Sequence, residues 1–278
     1  MRNNRAWSWD SRTQNRGSKL SPWWLLRCLA LPMLMALWCV SAAAQCRAYV
    51  PTHKSNSVAV IDTSADQVIA KIPVQIQPLA VAITPNGSFA YVTNSGWVFG
   101  SNSVSVIDTA SNTVVATIGV GSFPVGVAIT PNGAFAYVTN ESSDSVSVIN
   151  TATNIVVATV PVVSGSFNSG PYAVAITPNG AFAYTANAAA STVSVIDTAT
   201  NKVMATVPVG TTPHGVAITP DGQSAYVGNE YSSTVSVIDT RTNTVVDTVN
   251  GVAVAPEGVA IKHPQFQPVP CHYVTPVQ

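Results

Sequence analysis

GVAITPDGQSAYVGNEYSSTVSVIDT, residues 215–240, decides the fold, because the chain repeats it. From Val81, Val127 and Val174 the same order returns: VAIT, a Pro-Asn-Gly turn, FAYVTN or a relative, a polar loop, then SVSVIDT or SVSVINT. The Asp or Asn that ends each VSVID run stands at Asp62, Asp108, Asn150, Asp197 and Asp239, spaced by 46, 42, 47 and 42 residues. A period of this size, made of short alternating apolar runs and Gly/Asn turns, makes each unit one small sheet in a repeat array.

Each unit offers four strands. In the quoted unit they run over 215–219, 224–228, 234–238 and 244–248, with Val235 and Val237 on one side of the third strand and Ser236 on the other. Pro220-Asp221-Gly222 turns the first strand into the second: Pro fixes one dihedral and Gly accepts the left-handed one. Asp239 opens the turn into the fourth strand, where its carboxylate accepts backbone N–H bonds. The turns are too short for crossover helices, so the strands are antiparallel and each unit is a propeller blade.

Closure follows from the ends of the array. The chain enters at 46–50, a second strand with no first strand before it, and 258–261 is a first strand with no full unit after it. Laying the last strand beside the first-entered sheet completes a fifth blade and removes both free edges. The sequence therefore predicts an all-β, five-bladed propeller of four-stranded antiparallel blades, closed by its termini. Cys271-His272-Tyr273-Val274-Thr275 echoes AYVTN once more, so 263–278 is a tail or a degenerate closing strand.

Residues 1–44 differ from the rest. Arg2, Arg5, Arg12, Arg16 and Lys19 precede an uncharged apolar stretch from Cys28 to Val40, then Ser41, Ala42, Ala43 and Ala44. That order reads as a secretory signal peptide cut after Ala44, leaving the propeller over 45–262, and the apolar stretch is too short to span a membrane easily. The chain is expected to be secreted, periplasmic or at the cell surface, with no transmembrane domain in its mature part. Cys46 and Cys271 then remain at opposite ends, and an oxidising compartment lets them pair. Without the leader, six basic residues face eleven acidic ones, a net charge of −5, which argues against a nucleic-acid footprint.

The units AYVTN, SVSVIDT and VAITPNG resemble the YVTN-type beta-propeller repeats of surface-layer and secreted microbial proteins, over nearly all of 48–261. Members of that group are more often seven-bladed, whereas this chain supplies five complete units. The resemblance implies a binding or surface role and does not by itself imply catalysis.

No HExxH, phosphate-binding glycine loop, GxSxG or CxxC is present. The recurrent aspartates fit turns and the recurrent tyrosines fit sheet packing, so function is sought where the repeats differ. Each loop into an inner strand ends in Pro and a variable residue, giving Leu79, Val125, Tyr172, His214 and Glu257 as a ring at the funnel mouth, polar on one side. His214 and Glu257 are the only good metal ligands there, so neither metal nor cofactor is assigned. Two longer loops, one with Trp97 and Phe99 and one with Phe167, suit partner contact on the same face. The sequence reading is a binding or scaffold propeller for an unknown protein, peptide or small-molecule ligand. The alternative is a hydrolase or lactonase-like enzyme with His214 as base and Glu257 orienting it.

Overall fold

A computed structural model describes residues 46–96, 101–162, 170–252 and 254–261. All belong to the compact unit Ala44–Gln278. Alternation of Val with Ser or Thr produces five antiparallel sheets in chain order. The first contains β1 (Arg47–Thr52), β2 (Ser57–Asp62) and β3 (Gln67–Pro73). The second runs through β4 (Pro78–Ile83), β5 (Phe89–Asn94), β6 (Ser103–Asp108) and β7 (Thr113–Gly119). The third is β8 (Pro124–Ile129), β9 (Phe135–Asn140), β10 (Ser145–Asn150) and β11 (Ile155–Pro161). The fourth is β12 (Pro171–Ile176), β13 (Phe182–Asn187), β14 (Thr192–Asp197) and β15 (Lys202–Pro208). The fifth is β16 (Pro213–Ile218), β17 (Ser224–Asn229), β18 (Thr234–Asp239) and β19 (Thr244–Val249). Each is a meander, and the inner strands β4, β8, β12 and β16 stand side by side in that order. This is a beta-propeller.

The turns do what their residues require. Gly87, Gly133, Gly180 and Gly222 hold φ between 72° and 74° in the Pro-Asn/Asp-Gly turns, a region that costs a side chain strain. At the other recurrent turn, Asp108 Oδ1 accepts from the N–H groups of Ala110 and Ser111, and Asn150 Oδ1 accepts the same pair from Ala152 and Thr153. That Asn makes the same bonds explains why the carboxylate is dispensable there, and it assigns the recurrent aspartates to turn structure.

Neighbouring blades are joined by apolar side chains and one polar staple. Between the third and fourth blades Tyr137, Val146, Val148 and Val160 pack on Ala183 and Ile196. At the same register Tyr49, Tyr91, Tyr137 and Tyr184 each donate a hydroxyl hydrogen bond to the next blade's Asn112, Asn154, Asn201 and Asn243 respectively, at 2.7 to 3.0 Å. Those four asparagines have left-handed backbones, which Asn tolerates better than most residues. Burial raises the hydroxyl pKa of Tyr137 and Tyr184 to about 12, helped by the charges of Asp197 and Asp239, so both remain donors over the whole physiological range.

The expected closure by the termini is not shown by the described residues. Residues 256–261 carry no strand, and among the described residues the first sheet has three strands, β1 pairing with β2 alone. The segment lies beside the inner strand of the fifth blade, as β12 lies beside β8: a Cβ on Gly215 would sit 2.7 Å from the carbonyl oxygen of Glu257, and one on Gly228 would sit 2.8 Å from that of Pro256. The two terminal faces are correspondingly open. Val50 is 41 % exposed where Val92 and Val138 are fully buried, and Val249 is 39 % exposed where Val160 and Val207 are 2–3 % exposed.

Candidate functional site

Register puts the mouth residues on one end of the sheets. Pro78, Pro124, Pro171 and Pro213 pair with Asn94, Asn140, Asn187 and Asn229, so the loops entering the inner strands and those leaving the second strands share a face. Backbone bonds lace them together, as from Glu141 N–H to the Phe123 carbonyl and from Glu230 N–H to that of Thr212. The Thr of AYVTN fixes the next blade's mouth residue. Thr93 Oγ1 donates to the Val125 carbonyl at 3.1 Å, and Thr139 Oγ1 donates to that of Tyr172 at 2.6 Å. Gly126 admits this approach, since a Cβ there would stand 2.6 Å from the same Tyr172 oxygen.

Tyr172 and His214, consecutive around the ring, stack with centroids 4.2 Å apart and planes 4° from parallel. His214 Nε2 is 3.4 Å from Glu230 Oε2, and both side chains are largely buried. Glu141, at the start of the corresponding loop of the third blade, has its carboxyl pKa raised by burial. The Tyr172 hydroxyl is also raised, by burial first and then by the charges of Glu141, Glu257 and Glu230. The face thus presents a rigid aromatic pair among three carboxylates. Among the described residues no group of three or more His, Cys, Asp and Glu could hold a metal ion.

Of the five mouth residues expected from sequence, Tyr172 and His214 come into contact. Glu257 is exposed and reaches Tyr172 through its charge, Leu79 is 37 % exposed, and Val125 is buried at 7 %. The carboxylate beside His214 is Glu230, not Glu257. Glu230 and Glu141 stand outside the series of residues after Pro; the residue after each AYVTN-type Asn, namely Ser95, Glu141, Ala188 and Glu230, varies equally and occupies the same end. Trp97, Phe99, Phe167 and Cys271 lie outside the described residues. Cys46 is disulfide-bonded. A separate cleft of about 500 Å³ at the junction of the second and third blades is lined by Gly, Val, Ser, Thr and Pro, without an acid or base.

A family model described as "Lactonase, 7-bladed beta-propeller" matches residues 44–155 and 128–263, most of the chain. The chain belongs to that family. Its described residues form five sheets, where the family description gives seven blades. No curated protein matches the chain. Among solved structures, a functionally unknown protein from Desulfotomaculum acetoxidans is similar at 20 % identity and a TM-score of 0.67, over 78 % of this chain and 69 % of that one. The hydrazine synthase of Kuenenia stuttgartiensis is similar at 20 % identity and a TM-score of 0.56, over 76 % and 85 % respectively. At these identities both speak for the fold alone. Among the described residues no helix is long and apolar enough to cross a membrane.

Proposed function

We propose that this chain is a secreted or periplasmic binding or scaffold propeller that contacts its partner through the loop-bearing face. The stacking of Tyr172 on His214 beside Glu230 carries the reading. A preorganised aromatic pair gives contact area at small entropic cost, and Glu141, Glu230 and Glu257 favour a partner bearing a positive charge. The partner is a Lys- or Arg-bearing peptide segment, whose cation sits among the carboxylates of Glu141, Glu230 and Glu257 while its apolar stem packs against the aromatic pair. The leader-like pattern of residues 1–44 and the disulfide at Cys46 support export. The test is retention of the chain on an immobilised peptide array containing Lys/Arg-rich, neutral and acidic members. Preferential retention on basic peptides, weakened by Tyr172→Ala and by Glu230→Gln, supports the reading; equal retention on all three classes overturns it.

A second reading, lactone hydrolysis, is favoured by membership of the lactonase-type family. If Nε2–H donates to Glu230, the free Nδ1 of His214 is the atom able to take a proton from water as it attacks a lactone carbonyl, and the proton then passes to the alkoxide released when the ring C–O bond breaks. Proton release from a panel of simple lactones, abolished by His214→Ala in a folded protein, would establish it. Turnover unchanged in that variant would remove it.

A further inference from the structure

The junction between the second and third blades is looser than the two that follow it. The outer strands of the first, third and fourth blades end in Pro73, Pro161 and Pro208, whereas that of the second ends in Gly119. The third strand of each following blade turns a serine toward this run. At the next two junctions a hydrogen bond closes the gap: Ser194 Oγ donates to the Val162 carbonyl at 2.9 Å, and Gly210 N–H donates to Ser236 Oγ at 3.4 Å. No bond of this kind joins Val120 or Gly121 to Ser147 among the described residues, and the cleft of about 500 Å³ opens there. Hydroxyl and apolar groups line it together, Ser145, Ser147 and Thr159 beside Val120, Val156 and Pro161. Behind the serines lies Asn140, fully buried, whose Nδ2 donates to Ser145 Oγ at 3.2 Å and to Ser147 Oγ at 2.9 Å. Ser147 therefore keeps its own proton for another acceptor, and Thr159 Oγ1, on an exposed residue, has both its functions free among the described residues. Asn140 Oδ1 is buried without a donor, as are those of Asn94 and Asn229. In the fourth blade Thr185 Oγ1 supplies that donor to Asn187; here Val138 holds the place of Thr185, on the side of the sheet packed against the second blade.

We propose that this cleft binds a neutral saccharide ring. Its volume falls within the roughly 300–1,000 Å³ of small-molecule sites. A sugar carries hydroxyls that both donate and accept, as those of Ser147 and Thr159 do, and a face of C–H groups that suits Val120, Val156 and Pro161. No acidic or basic side chain lines the cleft, so a charged ligand group would lose its water there without gaining a counter-ion. That selects against acidic and amino sugars. Gly119 leaves the entrance clear, since a Cβ there would meet nothing within 4 Å. The outer strand also accepts a longer side chain opposite the serine. Lys71 pairs with Ala59 in the first blade at the register where Thr159 pairs with Ser147 in the third. Tyr172, His214 and Glu230 take no part in the lining, so the site is independent of the one proposed for basic peptides.

The experiment is saturation-transfer NMR of the chain with glucose, galactose, maltose and cellobiose, set against glucuronic acid and glucosamine, followed by calorimetric titration of the strongest binder. Thr159→Lys fills the cleft with the side chain that the first blade carries at that register, and Gly119→Pro restores the residue of the other outer strands. Thr206→Lys makes the same change on the fourth blade, where Thr206 pairs with Ser194, and serves as the control. Matching thermal midpoints verify that all three variants fold. At least one neutral sugar is expected to bind at least tenfold more tightly than either charged one. Thr159→Lys should then lower its affinity at least tenfold and Gly119→Pro several-fold, with Thr206→Lys unchanged. Transfer to none of the four neutral sugars overturns the proposal, as does equal transfer to the charged ones. Wild-type affinity in Thr159→Lys, or an equal loss in Thr206→Lys, overturns it too.

Discussion

The Tyr137 hydroxyl donates to Asn201 Oδ1 at 2.8 Å, across the junction between the third and fourth blades and 64 residues along the chain. The ring itself is fully buried. One side chain thus fills the apolar junction and fastens the following blade's turn, and the same pair recurs at each junction described.

Tyr137→Phe keeps the ring and strands the Asn201 oxygen, which should cost about 1–2 kcal/mol. Tyr137→Ala also empties the junction and should cost roughly 3–5 kcal/mol. Urea unfolding of the two variants against the wild type measures both, with Phe the milder.

Alkaline stability follows from the same residues. Tyr137 and Tyr184 titrate at about 12 when folded, against an ordinary value of 10, so the folded state holds its protons longer than the unfolded one. Their contribution is whole below pH 10 and is lost as pH rises from about 10 to about 12. Thermal midpoints across that window should fall, and Tyr137→Phe should flatten the slope.

In acid the turns respond. Hydrogen bonds from Ser64, Ser111, Thr200 and Thr242 hold the carboxyls of Asp62, Asp108, Asp197 and Asp239 below the ordinary 3.8. A depressed folded pKa gives stability that is present above about pH 4 and lost as pH falls through the folded value. Replacing these residues by Asn, as the third blade does at Asn150, should reduce the acid dependence of the unfolding midpoint while leaving the midpoint at pH 7 within a few degrees.

Gly126→Ala would place a methyl group 2.6 Å from the Tyr172 carbonyl, which Thr139 also grips. The inner strand of the fourth blade must shift, and the Tyr172–His214 stack with it. Retention on basic peptides should drop several-fold, whereas Gly133→Ala, on the opposite end of the same blade, should lower stability without changing retention.

The repeat made the sheets legible. VSVID alternation gave the third strands, and Pro-Asn-Gly with Asp-x-x gave both turns, because these signals are local and recur. What the sequence concealed is set by distance along the chain. The Tyr–Asn staple joins residues 59–64 apart, and neither partner differs visibly from ordinary sheet and turn residues. The fate of 256–261 was hidden similarly, since whether that run meets β1 or stays on β16 depends on how much each of four junctions turns. At the mouth, Tyr172 and His214 were legible as departures from the repeat, while Glu230 required alignment of a second variable position.

The most direct test is retention on basic peptides measured side by side for the wild type, Tyr172→Ala and Glu230→Gln, all with unchanged thermal midpoints. Both variants are expected to lose at least tenfold in affinity, because each removes half of the patch that would meet the cation. Full retention by both variants would contradict it and move the working surface off the funnel mouth.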